Sequence, residues 1–235
     1  MSSKLPSRKL GRRDILVGTI GVAVGGGTAA AITAAADASR TSNPRQPSPG
    51  EQLMVEHGVL KRILLAYRAI NKRLSAGRPP AATTVTSAAQ IISDYVEGFH
   101  EGLEEGYIFP RIRSQQPQLV DVLLEQHDRG RHLTAAIIQV SSGSLSKPTE
   151  QQQLQQLLTA FVDMYEPHEA WEDTVAYPAL QAETDPVTLN RLADRFNELA
   201  VDQFGPDPLA QVLTRVAAVE TSLGIHDLAA FTPPT

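Results

Sequence analysis

The chain has 235 residues, enough for one well-buried domain with appendages or for two small domains. Its formal charge of -5 argues against a nucleic-acid-binding protein, because such proteins usually carry a basic patch. It contains no cysteine, which excludes disulfides, thiolate zinc sites and iron–sulfur clusters held by cysteine. Any metal that the chain holds must therefore be bound through histidine, aspartate or glutamate.

The first 38 residues differ in composition from the rest of the chain. They begin with basic side chains up to Arg13, continue with an apolar run rich in Gly and Ala over residues 15–36, and end in Ala-Asp-Ala at residues 36–38. A basic start, an apolar middle and a small-residue cleavage site are typical of a secretory signal peptide. The pair Arg12-Arg13 before the apolar run resembles a twin-arginine signal.

This resemblance implies that the twin-arginine export machinery carries the folded chain to the periplasm or the extracellular space. We expect cleavage near residue 38, after which no segment would stay stably inserted in a membrane. The alternative is an uncleaved N-terminal segment that anchors the protein to the membrane. Residues 39–50 are polar and contain several prolines, which predicts a linker before the folded domain.

From residue 51 onward the apolar residues recur with helical spacing, and no stretch alternates as a half-buried strand would. Four long helices joined by short connections pack most economically as neighbours that run in opposite directions. The fold class is therefore predicted to be all-α, an up-and-down antiparallel four-helix bundle over residues 51–182. The predicted helices cover residues 51–75, 84–113, 118–140 and 149–181.

A C-terminal helical extension is predicted over residues 183–235. Asp185-Pro186 combines a capping side chain with a proline in the first turn, which indicates the start of a fifth helix. Gly205-Pro206 predicts the end of that helix, and a shorter helix is expected between Pro208 and Leu223.

Two segments of the predicted bundle repeat each other. Residues 100–110 read HEGLEEGYIFP and residues 168–178 read HEAWEDTVAYP, so His, Glu, an acidic residue, an aromatic residue and Pro recur at the same offsets. The segment around His57 is echoed more weakly around His127. The chain is therefore interpreted as two helical hairpins, each with one His on its first helix and a His-x-x-x-Glu box on its second.

The repeated positions point several polar side chains towards one interior. Residues four apart in a helix share a face, so each box presents an imidazole and a carboxylate to the same side. The boxes and the two lone histidines also continue the apolar stripes of their helices. A single histidine in such a place is more often a satisfied core residue, and a buried polar network without metal is the alternative for the whole set. The six candidate metal ligands are His57, His100, Glu104, His127, His168 and Glu172.

The charge of the two carboxylates favours metal. An unpaired buried carboxylate costs several kcal/mol or more, and two of them repel each other. Apart from Arg131, no Lys or Arg lies in step with the two Glu positions. Cations would supply the missing charge, and four imidazoles with two carboxylates favour iron over calcium or magnesium, which prefer all-oxygen ligands.

The two boxes together with the two lone histidines resemble the hemerythrin-like family, also called the HHE cation-binding domain. The stretches EEGYIFP and YEPHEAWEDTV are similar to that family too, and the resemblance covers roughly residues 51–225. It implies a four-helix bundle around two non-haem iron ions that are bridged by carboxylates and by an oxo or hydroxo group. Its expected small ligand is dioxygen, nitric oxide or peroxide.

One position departs from the family pattern. The oxygen-carrying members place a second His four residues after the His of the third helix, and here that residue is Arg131. The departure argues against reversible dioxygen carriage and favours redox reactivity. Glu101 and Glu169 are candidates for an additional ligand, with a position beside the ligands or in solvent as the alternative. If Arg131 contacts a ligand, the site is predicted to be closed; if it turns to solvent, small molecules can reach the metal.

Three functions remain open on the sequence alone. The first is an iron protein that captures dioxygen or nitric oxide, or that stores or senses iron. The second is a redox enzyme that decomposes hydrogen peroxide or oxidises Fe(II) and so protects the cell envelope. The third is a structural bundle that its metal ions only stabilise. No general acid or base stands out beyond the ligand set, which argues against a hydrolase or a transferase.

Overall fold

The structure is a computed structural model and describes residues 46–233. The predicted signal peptide at residues 1–38 and the first part of the predicted linker lie outside the described residues. Within residues 46–233 all regular structure is helical, which confirms the all-α class. None of the helices in this range combines the length and the apolar character needed to cross a membrane.

Four long helical segments come first along the described chain, followed by two shorter helices and a final 3-10 turn at Leu228–Phe231. Their bounds lie within about two residues of the predicted ones. The segments are α1 at Pro49–Ser75, α2 at residues 82–112, α3 at Pro117–Ser141, α4 at residues 148–183, α5 at Pro186–Phe204 and α6 at Pro208–Leu223.

Helix α1 begins at Pro49, two residues before its predicted start and inside the segment predicted as linker. Ser48 and Glu51 form a capping box here. The Ser48 hydroxyl accepts a hydrogen bond from the backbone N–H of Glu51, and the Glu51 carboxylate accepts one from the backbone N–H of Ser48 at 2.7 Å. A proline at the first helical position needs no donor, so it strengthens the start. Asp185 caps α5 in a similar way, as predicted.

The long segments share one hydrophobic core. Helix α1 packs against α2 and α4, and α3 packs against the same two segments. Large buried side chains such as Tyr67, Phe161 and Leu60 fill the space between them. Of the extension, α5 packs against α1, and α6 packs against α1 and α2. The extension therefore covers the first hairpin, α1 with α2.

Segments α2 and α4 widen into π-helical turns at the two boxes, which the sequence analysis did not predict. In each box the backbone N–H of the residue before the proline bonds five residues back, from Phe109 to Glu104 and from Tyr177 to Glu172. Proline lacks a donor and its ring crowds the carbonyl four residues earlier, so a wider turn is favoured there. The π-helical turns span Ile92–His100, Glu104–Ile108 and Glu172–Ala176.

Candidate metal centre

The six predicted ligands come together between the four long segments. Each is buried, with at most 3% of its surface exposed. One lone histidine comes from α1 and the other from α3, while the two boxes come from α2 and α4. Their donor atoms form two groups in which all donors lie within 4.8 Å of one another. The first group is His57, His100, Glu104 and Glu172, and the second is His127, His168 and Glu172.

The Nε2 atoms of the imidazoles face the two carboxylates. Glu172 Oε2 lies 3.3 Å from His57 Nε2, and its Oε1 lies 3.1 Å from His168 Nε2. Glu104 Oε2 lies 3.6 Å from the Nε2 atom of the imidazole in its own box and 3.4 Å from His127 Nε2. Each carboxylate therefore lies between an imidazole of the first hairpin and one of the second hairpin, α3 with α4. A carboxylate in this position could bridge two cations.

The other ring nitrogen, Nδ1, of each imidazole is hydrogen-bonded to a side chain on a neighbouring helix. Such bonds fix the orientation of the ring and leave Nε2 free for a metal. Each lone histidine is bonded to the residue after the box glutamate of the other hairpin. Each box histidine is bonded to the residue before the lone histidine of its own hairpin. The bonds join His57 to Asp173 at 2.7 Å, and His100 to Glu56, His127 to Glu105 and His168 to Gln126 at 2.9 Å.

These four orienting partners were not among the residues predicted from the sequence. Their positions next to predicted ligands, at equivalent places in the repeat, are the signal that could have found them.

Several donor atoms at the centre have no hydrogen-bond partner. They are Glu104 Oε2, both carboxylate oxygens of Glu172, and His127 Nε2. Buried polar atoms are normally paired, because leaving one unpaired costs about 1–3 kcal/mol. Cations held by these atoms would satisfy all of them together and would offset the carboxylate charge. The mixture of imidazole nitrogen and carboxylate oxygen donors fits iron.

Comparison with known proteins assigns the family. The model of the hemerythrin HHE cation binding domain matches residues 48–151 and 119–202, which include all six candidate ligands. The chain belongs to the hemerythrin HHE cation-binding domain family. Two similar proteins are Uncharacterized protein Rv1995 of Mycobacterium tuberculosis and Uncharacterized protein Mb2018 of Mycobacterium bovis. Each is 40% identical over 199 residues, which cover 82% of this chain and 78% of the relative. No solved structure was found to match the chain.

Nearby carboxylates favour protonation of the two lone histidines of this HHE site when metal is absent. Burial alone would lower the pKa of His57, but the hydrogen bond to Asp173 and the nearby negative charges of Glu172 and Glu104 raise it to about 10. Burial also opposes protonation of His127, but the hydrogen bond to Glu105 and the nearby negative charges of Glu101 and Glu104 raise its pKa to about 10 as well. Cations that enter the site would have to displace these protons, so we expect metal affinity to rise with pH.

Arg131 contacts neither box glutamate. Its guanidinium donates to Glu101 Oε2 at 2.8 Å and also to Glu105, the carboxylate that orients His127. Neither predicted alternative describes this arrangement, because the side chain turns inward without closing on one of the six candidate ligands. Glu101, Glu105 and His127 form a further acidic cluster. The guanidinium offsets one of the two carboxylate charges and already pairs with an oxygen of each, so we expect no cation there.

The HHE repeat places a second basic residue at the equivalent position of α1. Lys61 donates to Glu169 Oε1 at 2.7 Å, as Arg131 does to Glu101. Glu101 and Glu169 are both buried, and Tyr165 Oη also donates to Glu101 Oε1 at 2.7 Å. The two glutamates that were candidates for an additional ligand are therefore held by basic side chains beside the centre.

The aromatic residue before the proline differs between the two HHE boxes. Tyr177 Oη donates to Glu104 Oε1 at 2.6 Å and lies 3.2 Å from His57 Nε2, with its ring stacked on that imidazole. Phe109 stacks on His127 with ring centroids 5.4 Å apart, but it has no hydroxyl. Glu104 therefore has one oxygen left for a metal, whereas both oxygens of Glu172 are unpartnered.

The remaining histidines lie away from the HHE site. His132 is exposed, and its Nδ1 is hydrogen-bonded to the carbonyl of Asp128 at 2.8 Å. His226 is exposed in the segment after α6. Neither belongs to a donor group among the described residues.

Proposed function

We propose that the chain is an exported hemerythrin-like protein that holds two non-haem iron ions and binds or reacts with dioxygen, peroxide or nitric oxide. The main support is Glu172, whose two unpartnered oxygens face imidazoles of both hairpins. One ion would lie at the first pair of imidazoles, His57 and His100, and the other at the second pair, His127 and His168. The four long segments would run up and down as an antiparallel bundle around the ions.

The protein's own residues would orient and shield this centre. When bound, the iron pair would supply the capacity to bind dioxygen, peroxide or nitric oxide and to exchange electrons with the bound molecule. The Nδ1 hydrogen bonds hold all four rings in place. Tyr177 holds Glu104 through a proton that it donates, and buried side chains such as Phe109 and Phe99 exclude bulk water.

The number of imidazoles favours redox reaction over reversible oxygen carriage. Arg131 occupies the position of a fifth histidine, and it pairs with Glu101 and Glu105. An ion at the second pair of imidazoles would therefore keep a place for a small ligand. Decomposition of hydrogen peroxide or oxidation of Fe(II), as protection of the cell envelope, is the second candidate function. A bundle whose ions only stabilise it, or that stores or senses iron, is the outcome if the centre does not react.

Metal analysis and an optical spectrum of the purified full chain test the proposal. We expect close to two irons per chain and near-ultraviolet bands of an oxo-bridged diferric centre. Addition of hydrogen peroxide with measurement of released oxygen separates an enzyme from a carrier. His100→Ala and His168→Ala should lose iron, whereas His226→Ala, at an exposed histidine, should keep it. A chain free of transition metal, or one unaffected by all three substitutions, would contradict the proposal.

For location we propose export through the twin-arginine machinery, which rests on Arg12-Arg13 and the apolar segment after them. A double Arg12→Lys, Arg13→Lys variant should stay in the cytoplasm while the unsubstituted chain is recovered outside it. Measurement of iron in both fractions keeps export separate from metal binding. Export of the double variant at an unchanged level would contradict this location.

A further inference from the structure

We propose that a pocket between α3 and α4 binds an uncharged aromatic small molecule next to the second pair of imidazoles. We call it the Trp171 pocket, after the side chain at its edge. Its volume is 460 Å³, within the range of about 300–1,000 Å³ that is usual for small-molecule sites. The binding itself does not require metal, but its influence on the centre rests on the proposed function.

The chemistry of the wall selects the class of ligand. Leu119, Val122, Pro167 and Trp171 supply apolar surface, and glutamines such as Gln118 supply amide groups for a hydroxyl or a carbonyl. No Asp, Glu, Lys or Arg lines the pocket, although the chain carries a net charge of -5. An ion in the pocket would lose hydration without gaining a partner of opposite charge, so an uncharged ligand is favoured. The indole ring at the edge favours an aromatic one.

The pocket reaches the candidate metal centre through two of its lining residues. His168 and Gln126 both line it, and they are joined by the hydrogen bond at His168 Nδ1. The Nε2 atom of the same ring lies 3.1 Å from Glu172 Oε1. A molecule in the pocket would therefore contact a ring whose opposite nitrogen faces the bridging carboxylate.

The extension covers part of the equivalent face of the first hairpin and leaves a smaller pocket of 230 Å³, lined by Glu56 and by residues of α5 and α6. On α1, the residues that precede His57 pack under the extension, where the Gln52 amide donates to the carbonyl of Ala193 in α5 at 3.2 Å. Residues of α3, α4 and the turn before α3 alone line the Trp171 pocket. Trp171 is 56% exposed and Val122 is 50% exposed. The two copies thus differ, because the pocket on the first hairpin is smaller and is lined by carboxylates, whereas no carboxylate lines the Trp171 pocket.

The chain contains its own reporter for this site. Trp171 is the only tryptophan, so the intrinsic indole fluorescence reports on the pocket. We would titrate phenol into the purified full chain, both metal-loaded and metal-free, and compare benzoate and benzylammonium as charged rings of similar size. We expect a saturable fluorescence change with phenol in both forms and much weaker changes with the two ions. No saturable change with phenol, or equal binding of all three, would overturn the proposal.

Two matched surface variants control for general effects. Val122→Glu puts a charge into the pocket and should weaken phenol binding by roughly tenfold or more. Val201→Glu changes a valine on α5 that is 49% exposed and should bind phenol as the unsubstituted chain does. Equal affinities for both variants would overturn the proposal. Circular dichroism would show that both variants fold, and Val122→Arg repeats the test with the opposite charge.

Other outcomes separate this proposal from neighbouring ones. Fluorescence that depends on protein concentration without phenol would mean that a second copy of the chain covers the pocket, which would overturn it. Val122→Glu should keep its iron, because the substitution does not touch a ligand. Saturable phenol binding by a chain that never holds iron would support the pocket while it refutes the diiron centre.

Discussion

The two hairpins present the same ligands but surround them differently. In each, a lone histidine and a His-x-x-x-Glu box face the centre, and Nδ1 of every imidazole is hydrogen-bonded. Around the first pair, the orienting partner of His100 is the carboxylate of Glu56, and Tyr177 adds a hydroxyl. Around the second pair, Gln126 takes the place of Glu56, and Phe109 takes the place of Tyr177.

This difference indicates that two metal ions at the centre would not be equivalent. A carboxylate partner makes an imidazole a stronger donor than an amide partner does, so the first pair should hold its ion more tightly. The extension also covers the first hairpin, whereas the Trp171 pocket reaches the second pair. The comparison therefore predicts a tightly held ion at the first pair and a more weakly held ion at the second.

The largest effect is expected where the two halves share a ligand. Glu172 belongs to both donor groups, so Glu172→Ala should lose both ions and not just one. Iron per chain, measured by elemental analysis, checks this. Glu166→Ala is the matched control on α4, because that exposed glutamate pairs only with Arg68 at the surface. A Glu172→Ala chain that keeps a full complement of iron would refute the bridging position.

Exchange of the orienting partners should change the metal affinities of the two halves in opposite directions. Complete loss of such a partner lowers metal affinity by roughly 10- to 100-fold, and an exchange between carboxylate and amide keeps the hydrogen bond, so we expect shifts of at most about tenfold. Glu56→Gln should therefore weaken the first ion, and Gln126→Glu should strengthen the second. A stepwise titration with metal, monitored by calorimetry, would resolve the two affinities. If both substitutions shift the same binding step, the assignment of partners to halves is wrong.

A smaller effect is expected from the hydroxyl that only one half carries. Tyr177→Phe removes the hydrogen bond to Glu104. A hydrogen bond contributes about 1 kcal/mol, so we expect metal affinity to fall roughly fivefold. Phe109→Tyr would add a hydroxyl beside His127 and is the mirror control. The optical bands of the loaded protein should shift in Tyr177→Phe. Identical spectra in the unsubstituted chain and Tyr177→Phe would show that the hydroxyl does not influence the centre.

In the metal-free protein, the two lone histidines should respond alike as pH rises. The pKa values of His57 and His127 are both raised to about 10, above the ordinary 6.5, because hydrogen bonds and nearby carboxylate charges together outweigh burial. Their contribution to stability is present below pH 6.5 and is lost as pH rises towards 10. Burial raises the pKa of Glu97 from 4.5 to about 7, so its contribution to stability also falls as pH rises, but between pH 4.5 and 7.

Urea unfolding of the metal-free chain at a series of pH values measures this loss. We expect the midpoint to fall between pH 6.5 and 10, and His57→Gln and His127→Gln to flatten the curve to a similar degree. A midpoint that rises with pH over this range would show that the two imidazoles are not protonated in the folded state.

Helical spacing was enough to predict the helices and to bring the six candidate ligands together. The His-x-x-x-Glu boxes and the apolar stripes are local patterns, and a helix converts them directly into shared faces. The orienting partners were missed because Asp173 and Glu105 act across to another helix, which depends on packing that a single helix does not encode. The π-helical turns before Pro110 and Pro178 were missed because helical spacing alone does not reveal a change in helical pitch.

Arg131 also makes contacts that helical spacing alone does not predict. Its position in step with the ligands was visible in the sequence, but its partners Glu101 and Glu105 on α2 depend on how α3 lies against that segment. The Trp171 pocket is open to solvent because the extension packs on α1 and α2 and not on α3 and α4. The ligand set is thus local information, whereas the surroundings that distinguish the two halves are tertiary.

Anomalous diffraction at the iron absorption edge, from crystals of the purified chain, is the most direct test for two irons held by the six candidate ligands. We expect two peaks, one among His57, His100 and Glu104 and the other between His127 and His168, with Glu172 within reach of both. Peaks at Glu101 and Glu105 instead, or no peak in iron-replete protein, would show that the six candidate ligands do not hold an iron pair.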